Sequence, residues 1–284
     1  MRSAGIAGIA LSILLFFVIG APSHVLANPP RLAQVWQTPQ ALEVPESVMY
    51  DAQRQILYVS NIAGNPTEKN GQGFISRVNL DGAIENLRWV TGLNAPKGMG
   101  LLRGTLYVTD IDRVHAINIA AGRIQKTWEA PQARFLNDIA IAPTGAVYIS
   151  DMETNRLYTI RNDQLAVFIS LQQHNPNGML MENGRLLVGT DEGLCEVDTA
   201  AKSVTLLIDN AGGIDGLQLL SPGRYIVSDW VGRTQIIEQG KPAVPLLDTT
   251  DQKINSADLA FIADKRLLLI PTFFDNRVVA YRLE

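Results

Sequence analysis

Few residues in this chain can do chemistry, and their types narrow the choice. Cys195 is the only cysteine, and histidine occurs three times, at His24, His115 and His174. One cysteine permits no intramolecular disulfide, no Cys-rich zinc site and no iron–sulfur cluster. With so little imidazole and no G-x-S-x-G, a Ser–His–Asp hydrolase is a poor fit. Neither G-x-x-x-x-G-K-[ST] nor a G-x-G-x-x-G after a strand pattern occurs, so the familiar phosphate-binding loops are missing. What remains is oxygen. Glu46, Asn137, Asn177 and Asp215 each stand at the head of a short apolar run, and Lys97 heads another. Carboxylate and amide oxygens without thiol or imidazole suit one hard divalent cation: calcium first, with magnesium, manganese or zinc as alternatives. Taken singly, each of these residues reads as well as a turn residue capping local backbone. They form a site only if the fold gathers them.

A repeat supplies such a fold. Short apolar segments begin at Leu57, Leu106, Val147, Leu186, Tyr225 and Leu267, spaced 49, 41, 39, 39 and 42 residues apart. They are rich in β-formers and run to strand length, with further apolar runs on either side. Asp81-Gly82, Thr144-Gly145, Asn183-Gly184 and Pro222-Gly223 mark turns between runs. No helical periodicity competes after residue 27. A period near 40 with three or four strands per unit predicts an all-β chain folded as a six-bladed β-propeller. The last unit has only three strands. The spare segment Leu32 to Gln37 is expected to supply the fourth and to close the ring, removing an exposed sheet edge.

Topology then assigns faces. In an antiparallel blade with strands a (innermost) to d (outermost), the d–a and b–c loops share one face of the disc. The residue heading each strand a therefore lies at one mouth of the channel. These residues are Glu46, Lys97, Asn137, Asn177, Asp215 and Ala257, followed by Ser47, Gly98, Asp138, Gly178, Gly216 and Asp258. Burying two carboxylates, two amides and an ammonium there is costly without compensation. The convergence of four oxygen-bearing side chains favours a cation over four separate caps. Lys97 is expected to bind a substrate carboxylate or to pair with Glu46.

Four segments carry a family resemblance: Pro45-Glu46-Ser47-Val48-Met49-Tyr50-Asp51, Asn137-Asp138-Ile139-Ala140-Ile141-Ala142-Pro143-Thr144-Gly145, Pro176-Asn177-Gly178-Met179 and Ile214-Asp215-Gly216-Leu217. Through them residues 32–284 resemble the regucalcin/gluconolactonase family of six-bladed propellers. The resemblance implies one divalent metal held by Glu46, Asn137, Asn177 and Asp215, and a hydrolase of sugar lactones or similar small esters. It makes Asp215 both ligand and general base, the acceptor of a water proton. It also implies substrate contacts from Arg134, although Arg134 stands three residues before Asn137 and the family's arginine stands two. Lys97, Asp138 and Trp230 complete the expected substrate site. The alternative is a non-catalytic propeller with a structural metal, binding a ligand or a protein partner through its rim.

The remaining features are set around this centre. Residues 61–73, between strands b and c of the first blade, are expected over the same mouth, as a lid or as a solvated insertion. Trp230 and Phe273-Phe274 should rim it, and His174 lies near it. His115 and Cys195 fall in strand patterns and read as structural, and Trp36, Trp89 and Trp128 read as packing on outer strands. The whole chain has 284 residues, 46% hydrophobic and 18% charged, with a formal charge of −4. That is globular composition, and its sign argues against nucleic acid as a partner. Residues 1–27 read as a signal peptide: Arg2, an uncharged apolar run over 6–21, and small residues ending at Ala27. Cleavage would leave residues 28–284 as one propeller domain, periplasmic or secreted, with no membrane segment and a small molecule as substrate.

Overall fold

The computed structural model describes Met1 and residues 29–172, 175–209 and 211–284. The expected signal peptide and His174 lie outside the described residues. Within them, 24 strands form six four-stranded antiparallel sheets, the blades of a six-bladed propeller. The innermost strands are Pro45–Asp51, Pro96–Leu102, Leu136–Ile141, Met179–Glu182, Ile214–Ser221 and Ala260–Ile262. Two short 3-10 turns, Ala263–Lys265 and Phe273–Asp275, are the only helical elements among the described residues. No helix of the described residues is long and apolar enough to cross a membrane.

Burial follows position in the blade. Ile56–Asn61 and Val147–Asp151, both second strands, are buried at every residue because neighbouring blades cover both faces. The outer strand Arg123–Glu129 alternates exposed and half-buried side chains, one face in solvent. The core is therefore a set of layers between blades. Tyr58 and Ile75 of blade one, for example, pack with Met99, Leu106 and Val108 of blade two. Tryptophans on outer strands bridge to the next blade. Trp36 lies against Gly82, Trp89 against Gly122, and the Trp128 indole N–H donates to the Asp163 carbonyl at 3.0 Å.

The ring closes as the sequence predicts. Leu32–Gln37 pairs antiparallel with Val278–Leu283, Leu32 opposite Leu283 and Gln37 opposite Val279. The clasp is extended by an Arg31–Glu284 ion pair at 2.7 Å and by the Glu284 N–H donating to the Arg31 carbonyl at 2.9 Å.

Candidate functional site

The mouth residues are aimed by bulges. The sequence places them just before strand a; in four blades the structure places them inside it, where the ladder skips. Pro45 pairs with Asn61 and Ser47 with Ser60, which leaves Glu46 unpaired. In blades two, three and five, two residues face one: Lys97-Gly98 opposite Thr109, Asn137-Asp138 opposite Ser150, and Asp215-Gly216 opposite Ser228. A bulge bends the strand and turns the extra side chain out of the ladder. It also frees a backbone N–H, and the facing hydroxyl takes it up. Ser60, Ser150 and Ser228 accept from the N–H groups of Ser47, Asp138 and Gly216 at 2.9–3.0 Å. Thr109 and Ser228 also donate to carbonyls of the next blade, Asn137 at 2.5 Å and Ala257 at 2.8 Å. Sequence reasoning missed this brace. Its signal is a Ser or Thr ending the apolar run of strand b in blades one, two, three and five.

The inner strands approach closely enough to demand glycine. A Cβ on Gly178 would sit 2.2 Å from the Asp215 carbonyl oxygen, and one on Gly216 2.5 Å from the Leu259 nitrogen.

Glu46, Lys97, Asn137, Asn177 and Asp215 line the floor of one cavity of about 550 Å³. The four predicted oxygen-bearing side chains thus converge. The Asn177 amide nitrogen donates to Asp215 Oδ1 at 2.9 Å. Asn177 Oδ1 and Glu46 Oε2 are buried without any hydrogen-bond partner. Burial drives the Asp215 carboxyl up to about 7, against the hydrogen bond from Asn177. Glu46 is also held well above the usual carboxylate range, by burial and then by the Asp215 charge.

Asp138 departs from the expected role. It lies in the channel interior rather than on the cavity wall, its oxygens accepting from the backbone N–H groups of Ile139 and Met179 at 2.6 Å each. Asp258 lies in the same layer and accepts from Ser47 Oγ at 2.5 Å. Burial lifts both carboxyls, Asp138 to about 7. Arg134 is exposed, and its neighbour Phe135 lines the cavity instead.

Lys97 reaches the cavity but is already engaged. Its Nζ donates to the carbonyls of Pro66 at 2.9 Å and Ala95 at 3.0 Å, and stands 4.4 Å from the Phe135 ring centroid. It makes no ion pair with Glu46. Burial lowers the ammonium to about 8, partly offset by Glu46. The loop between Asn61 and Gly73 does lie over the mouth, with Ile62 and Pro66 in the wall. Lys97 holds it at Pro66, and a Lys69–Asp112 ion pair ties it to blade two. Beside it stands an aromatic cluster, with Phe273 packed in one core group with Ile62. Trp230 meets Phe273 at 5.5 Å and Phe274 at 6.1 Å between ring centroids, each edge to face. His115 is structural, bridging Thr127 at 2.9 Å and Asp110 at 3.1 Å, and Cys195 is buried in blade four.

The floor fits a hard cation. Among the described residues no three His, Cys, Asp or Glu side chains gather about one point. The donor set is instead two carboxylates and two amides, with two buried oxygens left unpartnered and the nearest ammonium turned to carbonyls. Buried oxygens in that condition lack the positive charge that would offset their desolvation.

No family model and no curated relative matches the chain by sequence. Solved structures match by fold. A streptogramin B lyase aligns at TM-score 0.64 with 13% identity, over 90% of this chain and 98% of its own. Virginiamycin B lyase from Staphylococcus aureus aligns at 0.65 with 12% identity, over 90% and 100%. A protein assigned to the gluconolactonases aligns at 0.62 with 15% identity, over 91% and 93%. The chain thus shares the six-bladed propeller fold of these proteins, and at such identities the likeness speaks to the fold alone.

Proposed function

We propose that the protein is a divalent-metal-dependent hydrolase of a lactone or similar small ester. One observation carries the reading: unpartnered buried oxygens of Glu46 and Asn177 stand with Asp215 on the floor of a single small-molecule cavity. Glu46, Asn137, Asn177 and Asp215 would hold the cation, calcium by donor type. Such an ion, when bound, polarises a carbonyl and lowers the pKa of water. Asp215 then serves as general base. Its carboxylate takes a proton from water as the water oxygen attacks the ester carbonyl carbon, and returns it to the alkoxide as the C–O bond breaks. Asn177 positions that carboxylate through the 2.9 Å hydrogen bond. The apolar walls limit competing water and strengthen these charges. On the pattern of residues 1–27 the proposal places the enzyme in the periplasm or outside the cell, its first residue Asn28.

The test joins metal analysis of the purified protein to turnover of a lactone panel in ¹⁸O-water, before and after chelation. The expected result is one bound divalent ion per chain, chelator-sensitive turnover, and one ¹⁸O in each carboxylate product. Ring opening without ¹⁸O would replace hydrolysis by elimination, the kind of reaction that the names of two like-folded lyases denote. Bound metal with no turnover would leave a non-catalytic binding propeller. No metal would return the four floor residues to backbone capping.

A further inference from the structure

The cavity is two surfaces of opposite character, and the upper one has no role in the reading so far. Above the oxygen floor, the wall is built by Phe135, Met152 and Ile62 and by Trp230, Phe273 and Phe274, with Ile62 and Phe273 in one buried cluster. Two of the polar groups on the wall are already engaged. Asn65 Oδ1 accepts from both the N–H and the hydroxyl of Thr67, at 3.0 and 2.9 Å. Lys97 is turned to two carbonyls and a ring face. A polyhydroxylated ring seated here would give up its hydrogen bonds to water and find few replacements, at a cost for each hydroxyl. An alkyl or aryl group would gain instead, by burial against rings and by edge-to-face contact.

The apolar surface does not stop at the rim. Trp230 and Phe274 also bound a shallower outer groove of about 620 Å³, shared with Val231 and with the polar Arg233, Thr250, Lys253 and Asn255. Trp230, Val231 and Phe274 are 44%, 50% and 59% exposed, a run of large apolar side chains that the fold itself leaves uncovered.

We infer that the substrate is a lactone or ester with an apolar body, an alkyl or aryl group lying along Trp230 and Phe274, and not a polyhydroxylated sugar acid derivative. The inference rests on the hydrolase reading for the reacting group and on the wall alone for the rest of the molecule.

A series of δ-lactones with alkyl tails of zero to six carbons, alongside glucono-δ-lactone, tests it on the full chain. Each kcat/KM is divided by the lactone's own uncatalysed rate. The expected result is a rise of about two- to fourfold per methylene, with glucono-δ-lactone below the tail-free member. In Phe274→Ala the rise should flatten. Turnover that is flat or falling with tail length, with glucono-δ-lactone preferred, would overturn the inference and leave the hydrolase standing. If no member is turned over, the hydrolase reading fails and the wall is read by binding. Tryptophan fluorescence titrated with the same series should then tighten with tail length in the parent chain and show no change in Trp230→Phe. Affinity independent of tail length would overturn the inference by that route as well.

Discussion

The floor and the wall of the cavity are made in different ways. Floor groups sit on or at the head of the inner strands, four of them at bulges, where Ser60, Ser150 and Ser228 take up the freed N–H groups and Thr109 donates to the Asn137 carbonyl. Wall groups stand on loops: Ile62 and Pro66 in the first blade, Met152 in the third, Trp230 in the fifth and Phe273 and Phe274 in the sixth on connections between strands b and c, and Phe135 on the connection leading into strand a of the third. The floor is charged, buried and held by the sheet. The wall is apolar, runs from the buried Ile62 and Phe273 to the exposed Trp230 and Phe274, and is held by loops. The lesson is a division of labour: reactivity is set where the backbone is most constrained, and selectivity where the chain is free to vary.

That contrast can be broken at several strengths. The largest effect is expected at Asp215→Asn, which should lower kcat by about 10²–10⁴-fold with an unchanged circular dichroism spectrum. Retained turnover would remove the general base from the floor. Next, Glu46→Gln should weaken cation affinity by about tenfold or more, read by isothermal titration, since it removes one of two carboxylates from the donor set. The floor should also respond to pH. Asp215 titrates near 7 in the folded protein and near an ordinary aspartate value when unfolded. The metal-free folded state therefore binds more protons than the unfolded chain between about 4 and 7. Stability of the metal-free protein should fall as pH rises through that window, with Glu46 and Asp258 acting in the same direction. Thermal melts at pH 5 and pH 8 measure this, and added calcium should restore most of the loss at pH 8. A smaller effect is expected at Ser228→Ala, which strands the Gly216 N–H in the core and should cost about 1–3 kcal/mol in urea unfolding. Least of all, Phe274→Ser on the wall should change stability by no more than about 0.5 kcal/mol, because that ring is 59% exposed. A large loss there would mean that the wall, like the floor, is structural.

The ring itself is legible from residues. Six apolar runs at a period near 40, and a spare strand at Leu32–Gln37 for the last blade, follow from β-former spacing, and the observed pairings match them. The convergence of Glu46, Asn137, Asn177 and Asp215 on one cavity was readable too, because a propeller's topology puts equivalent positions at one mouth. The bulges were not. A bulge is a count of two residues against one across a ladder, and residue type marks it only weakly, here by Gly98 or Gly216 after a polar residue and Ser or Thr opposite. Missing it displaced Asp138, which follows Asn137 by one residue and so turns to the channel interior. Arg134 failed for a different reason: long side chains on loops go where solvent and neighbours send them, and spacing does not record that.

The clasp between Leu32–Gln37 and Val278–Leu283 has a consequence for how the chain acquires its shape in time. The contacts beside it span 240 residues, as in the Val278 N–H bonded to Thr38 Oγ1. At a synthesis rate of about 5–20 residues per second, the first strand waits roughly 12–48 s before its partner exists. Five blades can assemble on their own hairpins as they emerge, but the sixth is sealed only by this late meeting of distant segments. The step is a loop closure, slow for entropic reasons, and until it is complete an unpaired strand edge stays open to any neighbour.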